Sequence, residues 1–171
     1  MAMSIDTVQL MGSDPSKLVH VHRSRHLPQS PDEVWGTLAR FDRIVDWAPK
    51  VTHSTLTTEQ SEGIGTARRV QVGRQALIET VTLWEPGRSL AYAIEGLPPI
   101  VDGVTNRWDL ALDPAHAGGT FVVLTSVIDP GSSPKGKIGS RVLRLPLGQA
   151  ADSMLDGLAA HLAANPILPA S

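Results

Sequence analysis

The sequence predicts an α+β fold, in which a curved antiparallel sheet of about seven strands surrounds a long C-terminal helix. Segments of alternating apolar and polar residues recur between residues 17 and 129, which is typical of half-buried strands. Over residues 135–164 the apolar residues instead recur at helical spacing. A helix-start signal directly after the first strand predicts a short helix there, and a second short helix is expected after it. An antiparallel sheet with a helix on one face buries the apolar surface of both.

Composition narrows the classes of function. The chain has 171 residues, a net charge of −2 and no cysteine. Disulfides, thiolate nucleophiles and Cys-ligated zinc are therefore excluded. Lysine and arginine form no run, so we expect no nucleic-acid partner. We expect one domain over residues 17–165, a flexible N-terminal arm over residues 1–16 and a C-terminal tail over residues 166–171.

The N-terminal segment lacks the basic and apolar regions of a secretory signal. No apolar stretch reaches the roughly 20 residues that a membrane-spanning helix needs. We therefore expect a cytoplasmic protein without membrane insertion, present as a monomer or a homodimer.

The first strand is predicted over residues 17–27, where Val19 and Val21 alternate with His20 and His22. The next residues carry a capping signal. Ser30 suits the N-cap, Pro31 the first helical position and Glu33 the third, so a short helix should begin here. A second short helix is predicted over about residues 40–47, ending before Pro49.

A meander of strands is predicted next. Residues 85–88 are predicted to form a turn, because Pro86 and Gly87 suit its two central positions. The predicted strands cover residues 51–58, 66–72, 76–84, 90–95, 100–112 and 120–129.

The C-terminal segment reads as one long amphipathic helix. Three glycines weaken its intrinsic propensity, so it needs packing, which we expect against the sheet. Pro146 should kink it or divide it into two pieces. The helically spaced apolar residues are those at 138, 142, 145, 147, 151, 154, 155, 158 and 162.

Several strings in this order resemble the START/Bet v1-like (SRPBCC) superfamily, especially its polyketide cyclase/dehydrase-like branch. The resemblance covers about residues 17–164 and implies a helix-grip fold with an internal cavity. It does not imply one reaction, since a fold does not name a function. The matching strings are LPQSPDEVW (27–35), DWAP (46–49), GIGTARRV (63–70), IETVTLWEPGRSLAY (78–92) and GGTFVVLTS (118–126).

Glu79 is the best candidate for a catalytic group. It shares a predicted strand face with Leu77, Val81 and Leu83, where an unpaired carboxylate is costly. The resemblance implies that Glu79 faces the cavity, where burial would suit it to proton transfer. Alternatively, Glu79 is a structural partner of an arginine on the neighbouring strand.

Arg68 and Arg69 adjoin each other, so they point to opposite faces of their strand. An inward arginine could hold a ligand carboxylate or enolate. The pattern does not decide which of the two looks inward, and Arg69 is included in the candidate site.

The strand over residues 100–112 predicts more of the site. Val104, Asn106 and Trp108 share one face and would line the cavity, with Asn106 orienting a ligand oxygen. Core packing is an alternative role for Trp108. The resemblance implies that Tyr92 is an aromatic wall of the cavity.

Three further residues complete the candidate ligand-binding set. Trp47 lies near the expected cavity mouth, and the C-terminal helix would roof the cavity with Met154 and Leu158. Alternatively, these helix residues pack in the core without lining a cavity, which is the more common meaning of such spacing.

Two motifs are discounted, so no metal and no cofactor is expected. His20 and His22 could share a metal, but no third ligand is evident. Residues 131–137 approach a phosphate-binding loop, yet Ile138 stands where Ser or Thr should ligate Mg²⁺.

The sequence leaves three functions open. The favoured one is binding of a small hydrophobic or amphipathic ligand, lipid-like or polyketide-like, in an internal cavity. The first alternative is a polyketide cyclase, aromatase or dehydratase that uses a Glu, Arg and Tyr set. The second is a protein-interaction module, and whether any reaction is catalysed stays open.

Overall fold

The computed structural model describes residues 15–97, 99, 101–115, 118–132 and 134–166. Most of the predicted arm and tail lie outside the described residues. Short 3₁₀ helices occupy Pro15–Lys17 and Phe41–Asp46, and the α-helices are α1, Pro31–Leu38, and α2, Pro134–Ala164. The strands in chain order are β1 Val19–Leu27, β2 Val51–Leu56, β3 Ala67–Val72, β4 Gln75–Glu85, β5 Ser89–Glu95, β6 Gly103–Leu112 and β7 Thr120–Asp129.

The strands form one antiparallel sheet in the order β1-β7-β6-β5-β4-β3-β2. Six strands follow one another as a meander, and β1 closes onto β7 with Val19 opposite Ile128. The predicted α+β helix-grip fold, with two short helices after the first strand and a long C-terminal helix, is confirmed. Among the described residues no helix combines the length and the apolar character needed to cross a bilayer.

Strand alternation decides which side chains face α2. On β6, Asn106 and Trp108 are buried on the inner face, whereas Arg107 and Asp109 are half-buried on the outer face. Arg107 and Asp109 form an ion pair there, with Nη2 and Oδ1 2.9 Å apart. The predicted two faces of this strand are therefore confirmed.

A β-bulge between Val81 and Leu83 changes the faces of β4 near its end. Leu77, Glu79 and Val81 are buried together as predicted, but the extra residue turns Leu83 outward. Trp84 takes the inward position, where its ring meets that of Trp35 edge-on with centroids 5.1 Å apart. The prediction that Leu83 shares the face of Glu79 is wrong for this reason.

The capping box of α1 is confirmed. The side chain of Ser30 accepts from the backbone N–H of Glu33, and the backbone N–H of Ser30 donates to the Glu33 carboxylate at 2.8 Å. The Ser30 backbone N–H and the Ser30 hydroxyl both donate to the Glu33 carboxylate, and these two hydrogen bonds lower the pKa of that carboxyl. The capping box therefore satisfies backbone donors at the start of the helix.

Helix α2 is continuous through Pro146, so it is not divided there. Proline cannot donate to the carbonyl of Val142 four residues earlier. Both residues are exposed, so water can satisfy that carbonyl. Beyond Pro146 the predicted packing face is confirmed: Ala151, Leu155 and Leu158 are buried in the main core.

The N-terminal half of α2 departs from the prediction. Ile138, Val142 and Leu145 were expected to pack on the sheet, yet all three are exposed. The side of the helix that faces the sheet here carries Leu143 and Leu147, which pack against buried residues of β1, β6 and β7. The helical pattern was correct, but this apolar stripe does not face the core.

The C-terminal half of α2 approaches the second short helix very closely at Gly157. A Cβ added there would overlap the carbonyl oxygen of Trp47 and lie 2.7 Å from Cδ of Pro49. Gly157 is therefore required by packing, although glycine weakens a helix.

We predict that Gly157→Ala lowers the free energy of unfolding by about 1–3 kcal/mol, because the methyl group overpacks against backbone that cannot move away. Urea unfolding followed by circular dichroism measures the loss. The matched control is Gly36→Ala in α1, where an added Cβ meets nothing within 4 Å. That control should be neutral or gain up to about 1 kcal/mol. Equal effects of the two substitutions would contradict the close approach.

Candidate functional site

A buried ion pair lies on the inner face of the sheet. Arg68 on β3 stands directly opposite Glu79 on β4, and both Nε and Nη2 of the arginine lie 2.6 Å from Oε2 of the carboxylate. The two residues are 3% and 6% exposed, so both charges are removed from water. Each charge depends on the other, since an unpaired buried charge is strongly unfavourable.

Arg68 also joins the sheet to the 3₁₀ helix Phe41–Asp46. Its Nη1 donates to the carbonyl oxygen of Phe41, and its guanidinium carbon lies 3.7 Å from the centroid of the Phe41 ring. The ring of Tyr92 lies on the same guanidinium at 5.2 Å. Cation–π contact and hydrogen bonding together occupy this arginine.

The inclusion of Arg69 in the candidate site is corrected. Arg69 is exposed on the outer face of β3, and the inward arginine is Arg68. The alternation of side chains requires that only one of two adjacent residues faces in. Glu79 has the role offered as its structural alternative, that of ion-pair partner, and its role in catalysis stays a prediction.

A row of polar side chains crosses three strands beside the ion pair. Tyr92, Asn106 and Ser126 are cross-strand neighbours on β5, β6 and β7. Ser126 Oγ donates to Asn106 Oδ1 at 2.7 Å, and Asn106 Nδ2 donates to the Tyr92 hydroxyl oxygen at 3.4 Å. The Tyr92 oxygen thus accepts, and its own proton has no hydrogen-bond acceptor among the described residues.

Tyr92 stays protonated far above neutral pH. Burial raises the pKa of its phenol to about 12, and the negative charge of Glu79 adds to the rise. The charge of Arg68 and hydrogen bonds from Asn106 and Trp108 oppose the rise only in part. At neutral pH this group can donate a hydrogen bond, but it cannot act as a base.

Two tryptophans line the same face. The rings of Trp47, at the end of the second short helix, and Trp108 meet edge-on with centroids 5.7 Å apart. The Trp47 indole nitrogen is buried and has no hydrogen-bond partner among the described residues. A buried unpaired N–H costs roughly 1–3 kcal/mol, unless water or a ligand supplies an acceptor.

The structure brings most of the predicted site residues together. Trp47, Tyr92, Trp108 and Leu158 belong to the main core cluster, and Met154 packs against it half-buried. Val104 faces the same side, but it packs in a smaller neighbouring cluster.

Sequence analysis missed two residues of the site. Ser126 was detectable from the sequence. It lies two residues from Leu124 and two from Ile128 on β7, so it shares the inward face of these buried residues. Phe41 had no such signal, since the short 3₁₀ helix has no apolar periodicity.

The histidines of β1 lie away from this site. His20 and His22 are exposed on the outer face, with their rings stacked 5.8 Å apart, and His22 Nδ1 lies 3.0 Å from the Thr125 hydroxyl. Within the described ranges no three potential ligands are grouped for a metal ion.

The inner face therefore combines aromatic walls with few available donors. Arg68 and Glu79 satisfy each other, whereas the Tyr92 hydroxyl and the Trp47 indole can each still donate a hydrogen bond. Such a surface suits an apolar molecule that carries one or two oxygen atoms, because these two donors can hydrogen-bond to the oxygens and orient the molecule.

Comparisons with known proteins identify the family of this chain. The model of a family described as polyketide cyclase / dehydrase and lipid transport matches residues 19–163. The chain belongs to this family. This match confirms the resemblance to the polyketide cyclase/dehydrase-like branch of the SRPBCC superfamily that the sequence strings predicted.

Solved structures of similar fold have low sequence identity to this family member. The Zhui aromatase/cyclase from Streptomyces sp. R1128 is 20% identical, with a TM-score of 0.69 over 87% of this chain and 97% of its own. Ara h 8.0201 is 13% identical, with a TM-score of 0.67 over 86% and 99%. A protein from Thermobifida fusca is 22% identical, with a TM-score of 0.67 over 84% and 93%. These likenesses show the fold alone. No curated protein matches the chain.

We predict that Arg68→Met lowers the free energy of unfolding by about 3–5 kcal/mol, because it leaves the Glu79 carboxylate buried without a partner. The double variant Arg68→Met/Glu79→Leu should regain most of that loss. Urea unfolding of the wild type, both single variants and the double variant gives the coupling energy. Arg69→Met is the matched control and should change stability by less than about 0.5 kcal/mol. A double variant as unstable as the sum of its singles would contradict the pairing.

Tyr92 is the one tyrosine of the chain, so its ionisation can be followed directly by tyrosinate absorbance. We expect the folded protein to titrate near pH 12, against about 10 in urea. Because the folded pKa is raised, the stabilisation linked to Tyr92 is complete below pH 10. It is lost as the pH rises to 12, by up to about 3 kcal/mol. Tyr92→Phe should remove that part of the alkaline loss. Ionisation near pH 10 in the folded protein would contradict the burial.

Proposed function

We propose that this protein binds a small hydrophobic or amphipathic ligand on the inner face of its sheet, beneath α2. The observation that carries the proposal is the buried indole N–H of Trp47, which has no acceptor among the described residues. A ligand oxygen would supply that acceptor. Membership of a family described by polyketide cyclisation, dehydration and lipid transport supports this class of ligand.

The chemistry of the inner face limits which molecules fit. The donors available to a ligand are neutral, those of Tyr92 and Trp47, because the charge of Arg68 is already neutralised by Glu79. A fully charged head group would be buried without a counter-ion there. The proposed ligand therefore has an apolar or aromatic body and a carbonyl or hydroxyl oxygen.

Catalysis is the second candidate, and the protonated state of Tyr92 favours it. A phenol that keeps its proton at neutral pH can stabilise the oxygen of a forming enolate, which is the intermediate of ring closure or dehydration of a polyketide chain. Nothing else in the site supplies an obvious free base, since the Glu79 carboxylate is bound to Arg68. Ligand binding is therefore the better-supported function.

Native mass spectrometry of the purified protein, followed by denaturing extraction, tests the proposal. We expect a bound molecule of the stated class, or a thermal shift with added ligands of that class. Trp47→Phe removes the indole donor but keeps an aromatic ring, and should weaken binding about three- to tenfold. Arg69→Gln, on the outer face of the sheet, is the matched control and should bind as the wild type does.

An unoccupied protein that also shows no thermal shift across a broad hydrophobic set would overturn the proposal and favour the protein-interaction alternative. Equal loss of binding in Trp47→Phe and Arg69→Gln would contradict the assigned location. A released molecule that differs from the one added would establish catalysis. The cytoplasmic location, the lack of a nucleic-acid partner and the monomeric or homodimeric state stay predictions.

A further inference from the structure

The N-terminal half of α2 carries an apolar stripe that the fold does not use. Ile138, Val142 and Leu145 are 65%, 60% and 67% exposed. Their spacing of four and three residues places them on one side of the helix. Leu143 and Leu147 occupy the opposite side and pack against the sheet. Core packing therefore does not explain the stripe. Large apolar side chains grouped on a surface indicate a contact with something outside the described part of the chain.

The charged residues on this half of α2 are all positive. Lys135, Lys137, Arg141 and Arg144 are exposed, and residues 130–151 contain no aspartate or glutamate. At 100° per residue, Lys135 and Arg141 lie about 60° to either side of Ile138 on the helix. Cations thus flank the apolar stripe on both sides.

The C-terminal half of the helix carries negative charges instead. Its next charged residues, Asp152 and Asp156, form ion pairs with Arg23 and Arg25 of β1. Those carboxylates are therefore occupied by cations of the sheet. The four cations of the N-terminal half form no ion pair with a carboxylate of the described residues.

The stripe leads into a surface groove of about 470 Å³ between α2 and β1. Arg144 and Leu145 contribute to it from α2, and residues 20–23 contribute from β1. The exposed guanidinium of Arg144 offers N–H donors beside the apolar side chain of Leu145, which suits a phosphate-bearing head group. The residues that line it are His20, Val21, His22, Arg23, Arg144 and Leu145.

We propose that residues 134–146 dock on an anionic phospholipid surface, with Ile138, Val142 and Leu145 inserted at head-group depth and the four cations on the lipid phosphates. An apolar stripe bordered by lysine and arginine is the pattern of a helix that lies in a membrane interface. A second copy of this chain fits less well, because it would bring two groups of four cations together.

The proposed contact is peripheral, and it goes beyond the proposed function. Binding to a vesicle surface does not require a ligand on the inner face of the sheet. Failure of one proposal therefore leaves the other testable. If both hold, the docked helix is the one that also covers the ligand, so lipid contact and ligand exchange would occur at the same element.

Co-sedimentation of the full chain with vesicles tests the docking. We expect binding to vesicles of phosphatidylcholine that contain about one-third phosphatidylserine, and little binding to phosphatidylcholine alone. Neutralising Arg141→Gln/Arg144→Gln should weaken binding at least about tenfold, since each surface cation contributes roughly fivefold. Val142→Glu/Leu145→Glu should abolish it. Added salt should weaken binding of the wild type.

Matched controls separate the stripe from general stickiness. Ile64 and Leu112 are 66% and 69% exposed and lie outside α2, between β2 and β3 and at the end of β6. Ile64→Glu and Leu112→Glu should bind vesicles as the wild type does, with unchanged circular dichroism in every variant. The proposal is overturned if the wild type does not bind, or if controls and stripe variants lose binding equally. It is also overturned if light scattering shows that the stripe variants dissociate a dimer while vesicle binding persists, because the stripe would then be a subunit interface.

Discussion

The buried charge of Arg68 constrains several parts of this structure at once. A guanidinium removed from water requires a carboxylate, hydrogen-bond acceptors and polarisable surroundings at the same time. Glu79 supplies the first, the Phe41 carbonyl the second, and the Phe41 and Tyr92 rings the third. The register of β3 on β4 and the position of the second short helix must therefore agree. Any shift of that helix would leave the cation without its carbonyl oxygen.

The same short helix transmits this constraint to α2. It ends at Trp47, whose carbonyl oxygen lies so close to Gly157 that no side chain fits between them. The Trp47 ring turns inward onto Trp108, beside the row formed by Tyr92, Asn106 and Ser126. The sheet, the short helix and α2 thus meet around one aromatic surface. Its remaining free donors are neutral, which is why we infer a ligand with an apolar body and a neutral oxygen rather than an anion.

Local patterns predicted the elements well, because capping, turn chemistry and periodicity are properties of neighbouring residues. The Ser30–Glu33 capping box and the inward set of β6 needed no knowledge of the rest of the fold. The predictions that failed concern which face of a strand a given side chain occupies. Arg68 and Arg69 are chemically identical, so alternation shows that one faces inward but not which. The bulge after Val81 inserts one residue and reverses the faces of Leu83 and Trp84. The sequence of that strand contains no signal that predicts the bulge. Phe41 joined the site only through tertiary contact.

The expected burial of Ile138, Val142 and Leu145 failed for a different reason, and that reason bears on function. Helical periodicity shows that apolar residues share a side, but not what covers that side. On α2 two apolar sides exist: Leu143 and Leu147 face the sheet, and the stripe faces away. Burial on the sheet requires only the first. Glycine and Pro146 already weaken this helix, and the exposed apolar area of the stripe does not stabilise the folded chain. Its placement between lysines and arginines is explained if the second side meets an apolar phase bordered by negative charge, which is the physical description of an anionic lipid interface.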